Sequence, residues 1–260
     1  MSGDAHPLVQ ANPWTGLRQF TDARIALGRV GASLPTDQVL TFGLAHALAR
    51  DAVHAALDIP RLTADLTALG LTPRVVTSQA TDRHVYLLRP DHGRVLHPED
   101  AAQLHAVDSP AELAFVLGDG LSAVAVQHHA APLLAALLPL LGLHRRVAPP
   151  IIATQARVAL GDDIGERLGA RLVVVLIGER PGLSAPDSLG AYLTYAPRRG
   201  RTDAERNCVS NIRPAGLGYA DAAHRIAWLI TEALDRQVTG VALHDDSEAL
   251  PLLPRVHPTA

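Results

Sequence analysis

The sequence predicts an α/β protein: a Rossmann-like, mostly parallel open sheet with helices on both faces, preceded by a small N-terminal helical region. Three observations predict it. Strand-like and helix-like segments alternate from Pro73 onward, the rhythm of a sheet wound with helices. The run Leu172-Val173-Val174-Val175-Leu176-Ile177 is continuously aliphatic, as a strand buried on both faces requires. Ahead of Pro73, apolar residues recur at helical spacing instead.

Taken in order, residues 1–12 read as a polar start. Trp14 to Val30 places Leu17, Phe20, Ile25 and Leu27 on a loosely helical period. Thr36 is a suitable N-cap for Asp37 to Leu57, where Val39, Leu40, Leu44, Leu48 and Val53 form an apolar stripe. Pro60 opens a short helix that Gly70 ends. Arg74 to Ser78 and His84 to Leu88 are β-rich runs between turn residues. Pro98 starts a helix to about Val107. Leu113 to Leu117 reads as a buried strand, Leu121 to Leu141 as a long helix and Ile151 to Ala153 as a strand. Asp162 to Leu168 is a short helix stopped by Gly169. After the Leu172–Ile177 strand come Ala191 to Tyr195, a further strand, and Tyr219 to Arg236, a closing helix. The expected organisation is a helical region over 1–72, a Rossmann-like α/β domain over 73–240 and a flexible C-terminal tail over 241–260.

Composition removes several classes of function. The 260 residues are 48% hydrophobic but only 3% aromatic, with a net charge of −3. Nucleic-acid binding by base stacking needs exposed aromatics, and phosphate binding needs a basic stripe; neither is present. The single cysteine, Cys208, excludes an internal disulfide and a cysteine-based metal cluster. The N-terminus lacks the charged start and apolar run of a secretory signal. The longest apolar stretch, Ala130 to Leu143, is interrupted by Pro132, Pro139 and Gly142 and falls short of the about 20 residues a membrane span needs.

Some segments invite chemistry. Gly118-Asp119-Gly120-Leu121-Ser122-Ala123 lies between a strand and a helix and matches G-x-G-x-x-A, which raises a stand-alone NAD(P)-dependent oxidoreductase as an alternative. The acidic residue expected about 20 positions on is lacking, because the long helix is still running there; a tight turn capped by Asp119 and Ser122 is the plainer reading. Gly178-Glu179-Arg180-Pro181-Gly182 follows the strongest strand directly, where open α/β sheets bind ligands; a turn anchor is the alternative. Cys208, taken alone, reads as a small buried hydrophobe. Of the histidines, the adjacent His128 and His129 point in different directions on a helix, no metal-binding spacing occurs, and most read as surface residues. Asp82-Arg83-His84 begins a D-x-H pattern, but its sixth position is Leu87 rather than Gly, so a cobalt-ligating role is rejected.

Five stretches, in order, resemble one family. They are Tyr86-Leu87-Leu88-Arg89-Pro90-Asp91-His92-Gly93-Arg94, then Asp119-Gly120-Leu121-Ser122, then Asp163-Ile164-Gly165-Glu166-Arg167-Leu168-Gly169-Ala170, then Ile177 to Leu183 with Ser188-Leu189, and last Asp203 to Ile212. On these the chain resembles the small subunit of ethanolamine ammonia-lyase, from about Arg18 to Gly240. The resemblance implies a corrinoid-facing α/β domain with no catalytic residue and no protein metal ligand of its own, inactive alone. It implies a hetero-oligomer with a large subunit, whose TIM barrel holds ethanolamine, and adenosylcobalamin shared between the two. The implied reaction converts ethanolamine to acetaldehyde and ammonia by a radical rearrangement. Three cofactor-binding positions carry over: Val158, which follows Arg157; Glu179, in Gly-Glu-Arg-Pro-Gly; and Cys208, in Cys-x-Ser-Asn-Ile. Asp119, Ser122 and Arg157 are secondary candidates for the same wall. Neither a nucleic acid nor a membrane is implied as a partner. Longer N-terminal segments in the family are linked to bacterial microcompartments; here the first family-type helix begins at Trp14, which argues for plain cytosol.

Overall fold

The structure is a computed structural model that describes residues 8–105, 111–142 and 145–248. Its regular elements, in chain order, are α1 (Thr36–His54), α2 (Ile59–Ala68), β1 (Arg74–Thr77), α3 (Arg83–Leu88), α4 (Pro98–Gln103), β2 (Leu113–Gly118), α5 (Ala123–Leu137), β3 (Ile151–Thr154), α6 (Leu160–Arg167), β4 (Leu172–Gly178), β5 (Leu189–Tyr195), β6 (Asn207–Ile212) and α7 (Tyr219–Arg236).

The α/β class holds, but the sheet is mixed. Six strands lie in the order β1-β3-β2-β4-β5-β6. The pairs β1/β3, β3/β2 and β2/β4 are parallel, whereas β5 runs antiparallel to both β4 and β6. This departs from the mostly parallel Rossmann-like sheet expected. The reason is the link Glu179–Ser188 between β4 and β5, which contains no helix. A parallel return needs a crossover of a dozen or more residues, usually helical; without one the chain folds straight back.

Alternate side chains of the buried strands feed two cores. On one face Leu113, Phe115, Leu117, Val174 and Leu176 pack against α5, α7 and α2; on the other Ala114, Val116, Val173, Val175 and Ile177 pack against α6. The β2–β3 connection runs through α5 on the first face and the β3–β4 connection through α6 on the second. The winding therefore switches sides at β2, and the carboxyl ends of β2, β3 and β4 border the crevice that such a switch opens. Ala123–Leu141 matches a membrane span by length and composition alone, with a mean hydropathy of 1.5, as a buried core helix also does. In the fold it is α5 and the 3-10 turn after it, with most of α5 buried between sheet and α7.

Several local expectations change. His84–Leu88 is not a strand but most of α3, because Asp82 caps it: its Oδ1 accepts the Val85 N–H at 2.9 Å. The Trp14–Val30 stretch holds only a 3-10 turn, Thr15–Phe20, and isolated bridges from Arg29 to Gln10 and from Val30 to Ser33. Thr36 is the first residue of α1 and not its cap. The helix from Pro98 ends at Gln103; its expected end at Val107 lies outside the described residues. Residues 241–248 are docked rather than loose, since Leu243 is buried in the first core; the rest of the expected tail lies outside the described residues. Strand β6 was not anticipated.

Two ion pairs fix the approach to β6. Arg206 and Asp162 are both buried and meet through a two-pronged contact, Nη1 to Oδ1 at 2.6 Å and Nη2 to Oδ2 at 2.7 Å, while Nη1 also donates to Thr194 Oγ1 at 2.9 Å. The pair locks α6 onto β6 across β5. Just before it, Glu205 closes a capping box with Thr202 and pairs with Arg201. The Thr202 N–H first, and Arg201 next, hold the Glu205 carboxyl down at about 2. Its unfolded value is about 4.3. A depressed folded pKa stabilises the protein above the unfolded value and is lost as pH falls through the folded one. Glu205→Gln is therefore expected to flatten the acid limb of stability between about pH 4.5 and pH 2, read from urea midpoints across that range. Parallel limbs in the two proteins would contradict this.

Candidate functional site at the carboxyl edge of the sheet

Glu179 leaves the carboxyl end of β4 on the same side as Ile177, toward the α6 face. Its backbone N–H bonds the Ser188 carbonyl at 2.9 Å. Its Oε2 accepts the Ser188 hydroxyl and the Asn211 N–H, the latter at 3.2 Å. Oε1 accepts no hydrogen bond among the described residues. The Asn211 N–H is free for this because β6 bulges: the register slips between Leu189 and Ala191, and Asn211 takes a left-handed φ of 57°. A bulge takes one residue out of the ladder and re-aims its groups. Gly190 makes the room, since a Cβ there would sit 2.9 Å from Glu179 Oε1 and 3.1 Å from the Tyr192 ring.

Tyr192 joins the next residue to this group. It pairs across the ladder with Cys208, so both side chains leave the sheet on the α6 face and lie side by side. Cys208 is exposed as a residue, not the buried hydrophobe its type suggested, but its sulfur is shielded on the Tyr192 side. That desolvation pushes the thiol pKa up; the Tyr192 hydroxyl opposes this and the Glu179 charge adds to it. The same burial, with the adjoining Cys208 and Glu179, pushes the Tyr192 phenol up. At neutral pH the thiol and the phenol are thus both protonated. Val158 lies in the loop after β3, half-buried, and packs against the same core cluster as Tyr192 does. The three predicted residues therefore share one side of the sheet. Glu179 and Cys208 flank Tyr192, and Val158 packs against the same core layer as Tyr192.

The neighbouring loop is built by Asp119. Its buried carboxylate accepts the Gln155 and Ala156 N–H groups at 2.9 Å each, joining the β2–α5 turn to the β3–α6 loop. Burial pushes its pKa up, and these two bonds act against that. Arg157 and Arg83 stack on the Tyr86 ring, with their guanidinium carbons 4.1 and 4.5 Å from its centroid. Tyr86 donates to the Ala156 carbonyl at 3.1 Å, and burial raises its pKa to about 12. Arg157 Nε, Arg83 Nη2 and Gln155 Oε1 are buried with no hydrogen-bond partner among the described residues. The sequence reading missed Tyr86, Arg83, Tyr192 and Asn211 as parts of this edge. Only the glycine two residues before Tyr192 hinted at a close approach.

The dinucleotide alternative finds no support. Gly120, at φ 58°, is pressed against β4: a Cβ there would lie 2.2 Å from the Gly178 carbonyl oxygen, and the Leu121 N–H already bonds that oxygen at 2.9 Å. Ser122 caps α5 itself through the Ala125 N–H and donates its hydroxyl to the Pro186 carbonyl at 2.8 Å. The turn is occupied by its own chain and leaves no cradle for a pyrophosphate. His129 is a further correction, being buried rather than on the surface. Its Nδ1 lies 2.7 Å from the Tyr219 hydroxyl and its Nε2 3.3 Å from Asp187 Oδ2, and burial pushes its pKa down against the pull of Asp187. A neutral ring then accepts from Tyr219 and donates to Asp187, which fastens the link after Glu179 to α5 and α7.

Comparison with known proteins identifies the family. A sequence model of the ethanolamine ammonia-lyase light chain matches residues 11–244. The chain is 60% identical over 244 residues to an ethanolamine ammonia-lyase small subunit of Bradyrhizobium diazoefficiens, covering 93% of this chain and 94% of the relative. It is 58% identical to one of Rhodopseudomonas palustris, covering 89% of each, and 53% identical to one of Ralstonia nicotianae, covering 96% and 94%. Light chain and small subunit are names that imply a larger partner chain. The chain belongs to the ethanolamine ammonia-lyase small-subunit family.

Proposed function

We propose that this chain is the small subunit of an adenosylcobalamin-dependent ethanolamine ammonia-lyase, in which it forms one wall of the corrinoid site and a large subunit supplies the opposite wall and the substrate pocket. The observation that carries the proposal is the grouping of Glu179, Tyr192 and Cys208 on one side of the sheet, with Val158 on the same layer. The donor set fits a corrinoid rim, which presents amide groups and a nucleotide tail. Glu179 keeps Oε1 available as an acceptor for amide N–H groups. Val158 and the protonated Cys208 add apolar contact. Arg157 Nε, Arg83 Nη2 and Gln155 Oε1, unpaired among the described residues, give the adjoining loop polar groups open to a ligand.

When bound, the cofactor supplies a carbon radical by homolysis of its cobalt–carbon bond. The contribution of this chain is positional. A rigid edge keeps the reactive atom of a cofactor against the substrate and keeps competing reactions out. Rigidity comes from the Asp119 tie between two loops, from Ser188 and Asn211 on Glu179, and from Asp187 on His129. The test is reconstitution. The purified chain alone is expected to show no ammonia release from ethanolamine, and mixing it with the large subunit and adenosylcobalamin is expected to restore turnover. No turnover from two well-folded subunits with the cofactor present would defeat the proposal.

A further inference from the structure

Thirteen of the exposed large apolar side chains among the described residues lie between Leu8 and Leu48, and only five lie in the rest of the chain. Helix α1 is the centre of this surface. Over nineteen residues it buries only Ala52, while Leu40 is 68% and Leu44 62% exposed, and Leu48 continues their four-residue spacing along one face. A stripe at that spacing is the face a helix normally packs against something. The segment before it adds Trp14, 67% exposed, and Phe20, 77% exposed. It is tied to α1 through Arg24, which donates to the Gln38 carbonyl at 2.7 Å and stacks on Phe42. Exposed apolar residues on an ordinary monomer are scattered singly, and a concentration of them marks an interaction site.

We infer that residues 8–48 are a docking surface for the large subunit, with the Leu40-Leu44-Leu48 face of α1 at its centre. The inference rests on the subunit reading above. It singles out that partner over a second copy because the surface runs into the proposed corrinoid edge. The carbonyl of Val53, at the end of α1, accepts Arg83 Nε at 2.6 Å; Arg83 Nη1 donates to the Gly120 carbonyl at 2.8 Å; and the next residue, Leu121, bonds Gly178, which directly precedes Glu179. A polypeptide that closes the edge beside Glu179 is thus positioned to cover α1 as well.

The test is size-exclusion chromatography and titration of the full-length chain with the purified large subunit, comparing wild type, Leu40→Asp/Leu44→Asp and the control Val241→Asp, an exposed residue outside this segment. The expected result is at least tenfold weaker binding by the double variant, with its circular dichroism unchanged and the control binding as wild type. Should the double variant not fold, Leu44→Gln is read in its place against the same tenfold mark. Weakening of less than tenfold, or equal weakening in the control, overturns the inference and leaves the subunit reading standing. A wild-type chain that binds no large subunit overturns both. A wild-type chain that dimerises alone, and becomes monomeric in the double variant, assigns the face to a second copy and overturns the inference alone.

Discussion

Arg206→Ala is expected to lower folding stability by about 3–5 kcal/mol, the cost of breaking a buried ion pair by removing one partner. The magnitude follows from what remains. Asp162 stays buried in α6 with no cation opposite, and Thr194 Oγ1 loses its donor. That is a large fraction of a typical folding free energy of about 5–15 kcal/mol. A drop in the urea midpoint with an unchanged slope is the measurement. The double variant Arg206→Met/Asp162→Leu is expected to recover most of the loss, because apolar residues of similar volume replace buried pairs at little cost. A loss below about 1 kcal/mol in the single variant would mean that Asp162 finds water or another partner. The same variant is expected to disturb the proposed cofactor edge, since Arg206 lies just ahead of β6, two residues before Cys208.

Glu179→Ala is expected to weaken adenosylcobalamin binding by the assembled enzyme about 10- to 100-fold. Hydrogen bonds to a charged acceptor contribute about 1.5–3 kcal/mol, and about 1.4 kcal/mol is tenfold in affinity. Two effects combine. The available Oε1 is lost to the ligand, and the Ser188 hydroxyl and Asn211 N–H lose the acceptor that fixes the bulge of β6. Glu179→Gln keeps one carbonyl oxygen and is expected to fall between wild type and alanine. Cofactor titration of the assembled variants, with thermal unfolding run alongside, separates lost binding from lost folding. An alanine variant that folds and binds cofactor as tightly as wild type would reduce Glu179 to a turn anchor.

Much of the scaffold was legible. The β4 run and helix α7 are found where aliphatic continuity and helical period put them, and Glu179 was singled out because it follows the strongest strand. Strand β6 was not legible for a physical reason. It is an edge strand, and in Asn207-Cys208-Val209-Ser210-Asn211-Ile212 only Val209 and Ile212 are buried. Their three-residue spacing, set by the bulge, breaks the alternation by which a strand is recognised. Helix α3 was misread because a short run such as Val85 to Leu88 looks alike as helix or strand; the Asp82 cap, which decides it, requires the chain to turn there. The exposure of α1 was equally invisible, since an apolar stripe looks the same whether its cover comes from its own chain or from another.

The sequence by itself determined the α/β class, the aliphatic core and the family, because these rest on the order of apolar and turn residues along the chain. Only the tertiary structure decided that β5 runs backward, that a bulge in β6 turns an N–H toward Glu179, and that Tyr192 stands between Glu179 and Cys208. Each of these depends on which groups meet across the sheet, and residues separated by dozens of positions carry no mark of that meeting in their order.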